Sequence, residues 1–332
     1  MSTSSKPPEP SCRPVASIAT VGATHHLEAL EPLRAAYARS GIVEIPVVTT
    51  DLPGAAELQE VASGVDAVLL VYPRLRSPST VVAWPAIEAE AGRRVPIGLV
   101  PAHRRSVERF AATAAAVHER RRDGHSESSV ALLAQRSRRY IDLAGRIKRL
   151  LADGDVSPDS IFWWPADEIV RDDLTRGLGY GLATAVYVGH GRPSGWVGYA
   201  GIRAHHLAEV DDATALVVSL ACQTLSRRRV GLSFGEALVA QGSAAATIGA
   251  VSVTNHIANA RWSLRLAAAL INGASTAGEL LAAAEPDLDV GRCYRLIGDP
   301  MAPLLDAPGA KTAARALTDD VVYQPEPAEV LP

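Results

Sequence analysis

The sequence predicts an α/β fold built on a mostly parallel sheet, and two observations carry that expectation. Short apolar runs rich in Val and Ile recur along the chain, and Ala-, Leu- and Arg-rich segments of helical period separate them. Strands buried on both faces of a parallel sheet read as continuous hydrophobic runs, and the crossovers between them are helices. With 332 residues, 48 % hydrophobic and 21 % charged, the chain can bury the core of one large domain or two modest ones.

Taken in order, residues 1–14 are rich in Pro and Ser with little to bury and are expected to form a flexible tail. The runs "VASIATVG", "IVEIPVVTT", "DAVLLVYP" and "VPIGLVP" are the expected strands of an N-terminal α/β lobe, residues 15–155. From about 103 to 153 the period is helical, giving two long Arg-rich helices broken at "RRRDGHSESS", with no strand between them. A second α/β lobe, residues 156–306, then holds "SIFWWP", "TAVYVG", "ALVVSLA" and "AAATIGAV", and residues 307–332 form a second tail. The pattern is compatible both with two lobes and with one continuous sheet.

A net charge of −3 lacks the basic surplus that marks nucleic-acid binding. The amino terminus has no apolar core of the secretory kind, and no run is long enough to span a membrane. Cys12, Cys222 and Cys293 are spaced like neither a zinc ribbon nor a disulfide framework, which points to a reducing compartment, the cytoplasm.

In open parallel sheets function gathers at the carboxyl ends of the strands. His190 ends the run "TAVYVG" and Cys222 ends "ALVVSLA", 32 residues later, about one βαβ unit. Neighbouring strands would bring them to one edge. A cysteine nucleophile needs a base within reach and gains from nearby positive charge, which Arg227, Arg228 and Arg229 supply in the following loop. Gly189 and Gly191 leave room for a substrate backbone against the imidazole, and the N–H groups of Gly191 and Cys222 can form an oxyanion hole. A buried cysteine is also an ordinary small hydrophobe, so each residue alone is weak and the pair is the signal.

At these residues the sequence resembles a known family. "GHGRPSGW" resembles the histidine motif of the gingipain-type cysteine peptidases, with Trp196 at the family spacing from His190. "LVVSLACQT" resembles their cysteine strand, "FGEALVAQGSAAATIGAV" the helix and strand after it, and "YRLIGDPMAPL" their closing Gly-Asp-Pro segment. The same succession is similar to the CHAT peptidases of the caspase-like clan. The resemblance covers about residues 180–305. It implies a caspase-like α/β fold, His190 as general base and acid, Cys222 as nucleophile, an oxyanion site at the Gly191 and Cys222 amides, a protein or peptide substrate, a regulatory protein partner and no cofactor. Gingipains take Arg or Lys through an acidic pocket; Asp167, Glu168, Asp172 and Asp173 are candidates for that acid, although acids at a helix start need no further reason. Trp196 either walls the substrate pocket or packs beneath its loop. Asp299 and Pro300 are expected to tie and bend a turn. The rival reading, from another class, is a catalytically silent scaffold or protein-binding module.

Other motifs carry less. "GLSFG" matches the serine-hydrolase elbow at Ser233, but no strand precedes it and the required acid and histidine do not follow in order. "RGLGYG" precedes a strand, so it reads as a helix-ending turn and not a phosphate cradle. A metal site from His190, His205, His206 and Asp211 or Asp212 is awkward, because adjacent histidines diverge in a strand and in a helix; His25 and His26 meet the same objection. Arg120 to Arg122 and Arg227 to Arg229 read as charged loops or as processing sites.

Overall fold

Each of the eight apolar runs is a strand. In the computed structural model, which describes residues 16–89, 92–123, 129–154, 156–284 and 291–304, the strands are β1 (Ser17–Gly22), β2 (Val43–Val48), β3 (Ala67–Pro73), β4 (Ala86–Glu88), β5 (Arg94–Ala102), β6 (Val130–Ala134), β7 (Ile161–Pro165), β8 (Thr184–Val188), β9 (Gly191–Arg192), β10 (Gly195–Trp196), β11 (Ile202–Arg203), β12 (Thr214–Leu220), β13 (Ala244–Ala250) and β14 (Tyr294–Gly298). The helices are α1 (Thr24–Ala29), α2 (Glu31–Arg39), α3 (Ala55–Ser63), α4 (Pro78–Val81), α5 (Arg104–Arg122), α6 (Arg138–Asp153), α7 (Arg171–Gly177), α8 (Phe234–Ala240), α9 (His256–Ile271) and α10 (Ala277–Ala283). The two expected tails and Cys12 lie outside the described residues.

One continuous sheet runs β2-β1-β3-β5-β14-β13-β12-β8-β6-β7, with β4 antiparallel on β5. Within that order only the β13–β14 pair is antiparallel, so the sheet is mostly parallel, as expected. β14 joins the strands on either side, pairing with β5 at Leu296↔Gly98 and with β13 at Ile248↔Leu296. The approach to β5 is close: a Cβ on Gly98 would stand 2.3 Å from the Gly298 carbonyl oxygen.

The expectation of no strand between the two Arg-rich helices is corrected by β6, which lies between β8 and β7 and is parallel to both. Its residues, "VALLA", are mostly good helix formers, and complete burial on both faces of the sheet overrides that propensity. The boundary drawn near residue 155 falls between β6 and β7, which are neighbours in the sheet.

Two groups of helices cover the sheet. α2 and α8 pack on α5, which runs across β5, β12 and β13; α6 packs on α9, α9 on α10, and α10 on β5. The strands serve both sides by period-two alternation. Val186 and Val188 of β8, with Leu216, Val218 and Leu220 of β12, share a core with Tyr140, Leu143, Ile147 and Leu151 of α6. The alternate residues Ala185, Tyr187 and Val217 join a second core with Trp196 and Phe234. Each large apolar side chain so buried contributes about 1.5–3 kcal/mol.

The Gly-Asp-Pro segment is a buried tie. Asp299 is fully buried; Tyr37 Oη donates to it at 2.6 Å, the Met301 amide at 2.8 Å, and His118 Nε2 lies 2.9 Å away. One carboxylate thus pins the end of β14 to α2 and α5, the structural role expected for it.

Candidate active site

The period that builds the two cores also aims the two candidate residues. β8 and β12 pair in parallel with Val188 opposite Leu220, so His190 and Cys222 each stand two residues beyond a matched pair. Continuing the alternation 186, 188, 190 and 216, 218, 220, 222 places both on the side of α6 and α9. There they line one cleft of about 130 Å³ together with Arg139, Tyr140, Thr254, His256 and Asn259.

The flanking strands supply the rest of the site from the same edge. Beyond β13, the Thr254 amide donates to Cys222 Sγ at 3.4 Å, and its hydroxyl and carbonyl oxygens lie 3.5 and 3.6 Å from the sulfur. Asn259 Nδ2 donates to the Thr254 hydroxyl at 2.8 Å, and Tyr294 Oη donates to Asn259 Oδ1 at 3.1 Å. This relay holds the sulfur from behind. Beyond β6, Gln135 Oε1 accepts from the His190 amide at 2.7 Å. Arg139 Nη2 lies 3.1 Å from His190 Nε2, and Tyr140 Oη 3.2 Å from the same nitrogen. A guanidinium only donates, so Nε2 accepts and the imidazole is neutral here. Among the described residues no hydrogen bond joins His190 to Cys222, and such catalytic contacts often tighten only when substrate is bound.

The electrostatics favour that neutral base. Burial and then the Arg139 cation hold His190 below the ordinary histidine value, and burial, Arg139 and His190 do the same for His256. Burial raises Tyr140 above the usual phenol value against the opposing pull of Arg139, so it stays protonated. Its ring meets both His190 and His256 edge-on, each at 5.4 Å between centroids.

Of the two amides expected to hold an oxyanion, one directly follows His190 and the other belongs to Cys222 itself. The Val197 amide donates to the His190 carbonyl at 3.0 Å, which makes Gly191 and Trp196 the non-hydrogen-bonded pair of the β9–β10 hairpin. The Gly191 N–H therefore points out of the hairpin. The Cys222 N–H has no acceptor among the described residues. Gln223, just after the cysteine, takes a left-handed φ of 60° with its amide bound to the Ser252 carbonyl, a strained turn of the kind found at functional sites.

The reason for the glycines differs from the expected one. A Cβ on Gly191 would lie 2.5 Å from the Cys222 carbonyl oxygen and 2.9 Å from Ala221 Cβ, and one on Gly189 would meet the Tyr187 hydroxyl at 2.4 Å. The protein itself, not a substrate backbone, fills the space. Gly191→Ala is thus expected to push the histidine and cysteine loops apart and to lower kcat/KM on the order of 10²-fold, measured on folded protein with a peptide substrate.

Trp196 is corrected from pocket wall to core. It is fully buried, stacks on Tyr187 at 4.6 Å, and donates through Nε1 to Ser219 Oγ at 2.9 Å. Tyr187 and Ser219 have the alternate parity, so the indole lies on the other side of the sheet from the cleft. The acids Asp167, Glu168, Asp172 and Asp173 do not line the cleft; Asp172 and Asp173 occupy the first turn of α7. Ser233 is the N-cap of α8, its hydroxyl donating to Glu236 at 2.7 Å. Arg227 lies in a buried ion pair with that same fully buried Glu236 at 2.5 Å, which ties the loop after Cys222 to α8. Arg120 to Arg122 form the last turn of α5, with Arg120 paired to Asp212 at 3.0 Å. His205 and His206 sit in a single 3-10 turn, where His206 Nδ1 accepts from the Arg203 amide.

Sequence reasoning missed Gln135, Arg139, Tyr140, Thr254, His256 and Asn259. The carboxyl-edge rule that found His190 reaches most of them: "QRSRRY" follows β6 directly, and Thr254 and His256 follow β13 within a few residues.

A mostly parallel, caspase-like sheet with a histidine and a cysteine at matched strand ends is the arrangement expected of a cysteine peptidase. The chain belongs to peptidase family C25, whose pattern matches residues 109–305. It is similar in fold to the complex of the pro- and mature domains of Porphyromonas gingivalis RgpB, at 15% identity and TM-score 0.64, with 88% of this chain and 80% of that chain covered. The Arg specific cysteine proteinase gingipain R matches at 15% identity and TM-score 0.66, covering 88% of this chain and 79% of that one. The Saccharomyces cerevisiae separase–securin complex matches at 11% identity and TM-score 0.50, covering 73% of this chain and 16% of that one. No curated protein sequence matches the chain. Among the described residues no helix is long and apolar enough to cross a membrane.

Proposed function

We propose that this cysteine endopeptidase works through a dyad in which Cys222 is the nucleophile and His190 the general base and acid. The observation that carries the assignment is their placement two residues past a matched pair of adjacent parallel strands, on one wall of one cleft. His190 takes the thiol proton and Cys222 Sγ attacks the peptide carbonyl. The Gly191 and Cys222 amides hold the oxyanion, His190 protonates the leaving amine, and water hydrolyses the thioester to free acid and thiol. No disulfide joins Cys222 and Cys293 among the described residues, which suits work in a reducing compartment.

A peptide chloromethyl ketone tests the dyad. Mass spectrometry should find the label on Cys222 of the wild type, and His190→Ala should slow its attachment sharply. Slow labelling that ignores His190 would instead favour the silent scaffold.

The acid limb of kcat/KM is expected below the ordinary histidine value of 6.5, because burial and Arg139 both disfavour the imidazolium. Arg139→Gln removes one repulsion, so the imidazole gains its proton at higher pH and the limb moves upward. A wild-type limb above 6.5, or one the variant leaves unmoved, contradicts this electrostatic account.

A further inference from the structure

Among the residues that line the cleft, Arg139 alone carries a permanent charge. Arg139 enters from α6, His256 from α9 and His190 from the end of β8, while no Asp or Glu is among the lining residues. Asp142, one turn further along α6, is largely exposed and faces Arg138 at 3.7 Å. The remaining polar groups, at Tyr140, Thr254 and Asn259, are neutral.

Arg139 is also placed against its own helix. It lies in the first turn of α6, which carries no acidic residue and whose N-cap Ser137 makes no side-chain cap bond. A helix start normally gathers acids and side-chain acceptors, because its free N–H groups form the positive end of the dipole. A guanidinium in that position adds to the positive potential. His256 opens α9 from across the cleft, where the Asn255 side chain accepts from the Ile257 and Ala258 amides and caps the helix start. The guanidinium spends its Nη2 on two neutral acceptors, His190 Nε2 and the Tyr140 hydroxyl at 3.0 Å, and no carboxylate pairs with it among the described residues.

Resting on the peptidase reading above, we propose that the substrate side chain selected next to the scissile bond is a carboxylate, Asp or Glu, received by Arg139 with His256 beside it. A guanidinium receives a carboxylate through two parallel N–H donors, and about 130 Å³ of space admits one side chain. A basic side chain would meet like charge with no counter-ion in the cleft. Arg139 is thereby a specificity-determining residue as well as a neighbour of the base.

Peptides that differ only in the residue preceding the cut, Asp, Glu, Asn, Gln, Arg or Lys, test this by their kcat/KM ratios. Base strength cancels in a ratio, since every peptide uses the same dyad. The wild type should prefer Asp or Glu over the matching amide by about tenfold or more, Arg139→Gln should bring the ratio near unity, and Arg139→Lys should keep part of it. Cleavage after Arg or Lys, or an acid preference that survives Arg139→Gln, overturns the inference while leaving the peptidase intact. Absence of cleavage together with no labelling of Cys222 by any electrophile overturns both.

Discussion

Cys222→Ala is expected to reduce peptide hydrolysis by about 10⁴- to 10⁶-fold, and His190→Ala by a comparable factor. In the proposed mechanism the two residues act as a unit, so the double variant should lose little more than either single one; near-additive losses would mean that they serve separate steps. The Cys222 side chain rests against Thr254 at the edge of the sheet and is only half-buried, so the alanine variant should fold and unfold like the wild type. Single-turnover assays with a peptide ester and with the matching amide would separate the steps, because thioester formation is the one that requires the sulfur.

Asp299→Ala carries the largest expected cost in stability, on the order of 3–5 kcal/mol. Removing the carboxylate leaves the Tyr37 hydroxyl, the His118 ring and the Met301 amide without their shared acceptor in a fully buried space. Urea denaturation should show a lower midpoint with the slope unchanged. Asp299→Asn, which keeps an acceptor for the hydroxyl and the amide, should cost less. Unchanged stability in the alanine variant would contradict the buried tie.

Most of the sheet is legible in the sequence because a strand buried on both faces must be apolar throughout. The two long strands it hides depart from that rule for local reasons. "VALLA" is built from helix formers and lies between helices, so only its neighbours β7 and β8 make it a strand. "YRLIG" is interrupted by Arg295, whose buried guanidinium donates to the carbonyls of Val82, Ala83, Arg292 and Tyr294. A charge satisfied by main-chain oxygens has no signature in composition. The same holds at the site. His190 and Cys222 are visible as polar residues ending apolar runs, and their side of the sheet follows from parity. Arg139, Tyr140 and His256 acquire meaning only when α6 and α9 close over that side, a fact of packing between segments more than a hundred residues apart in the chain. Parity also decides against Trp196 as a pocket wall, once Tyr187 and Ser219 are known to face away from the cleft.

The place of β14 bears on how the molecule is made. Among the described residues every other long strand is synthesised before it, yet it sits mid-sheet between β5 and β13. Until residues 294–298 leave the ribosome, the nascent chain carries two open, apolar strand edges, each a template for pairing with a neighbouring chain. Such long-range closure is slow and leaves aggregation-prone species exposed. Tyr294, the first residue of that strand, also completes the relay through Asn259 and Thr254 to the sulfur. The support behind the Cys222 sulfur is thus finished by one of the last described parts of the sheet to emerge, so the cleft is fully braced only after the strands on either side of β14 have been made.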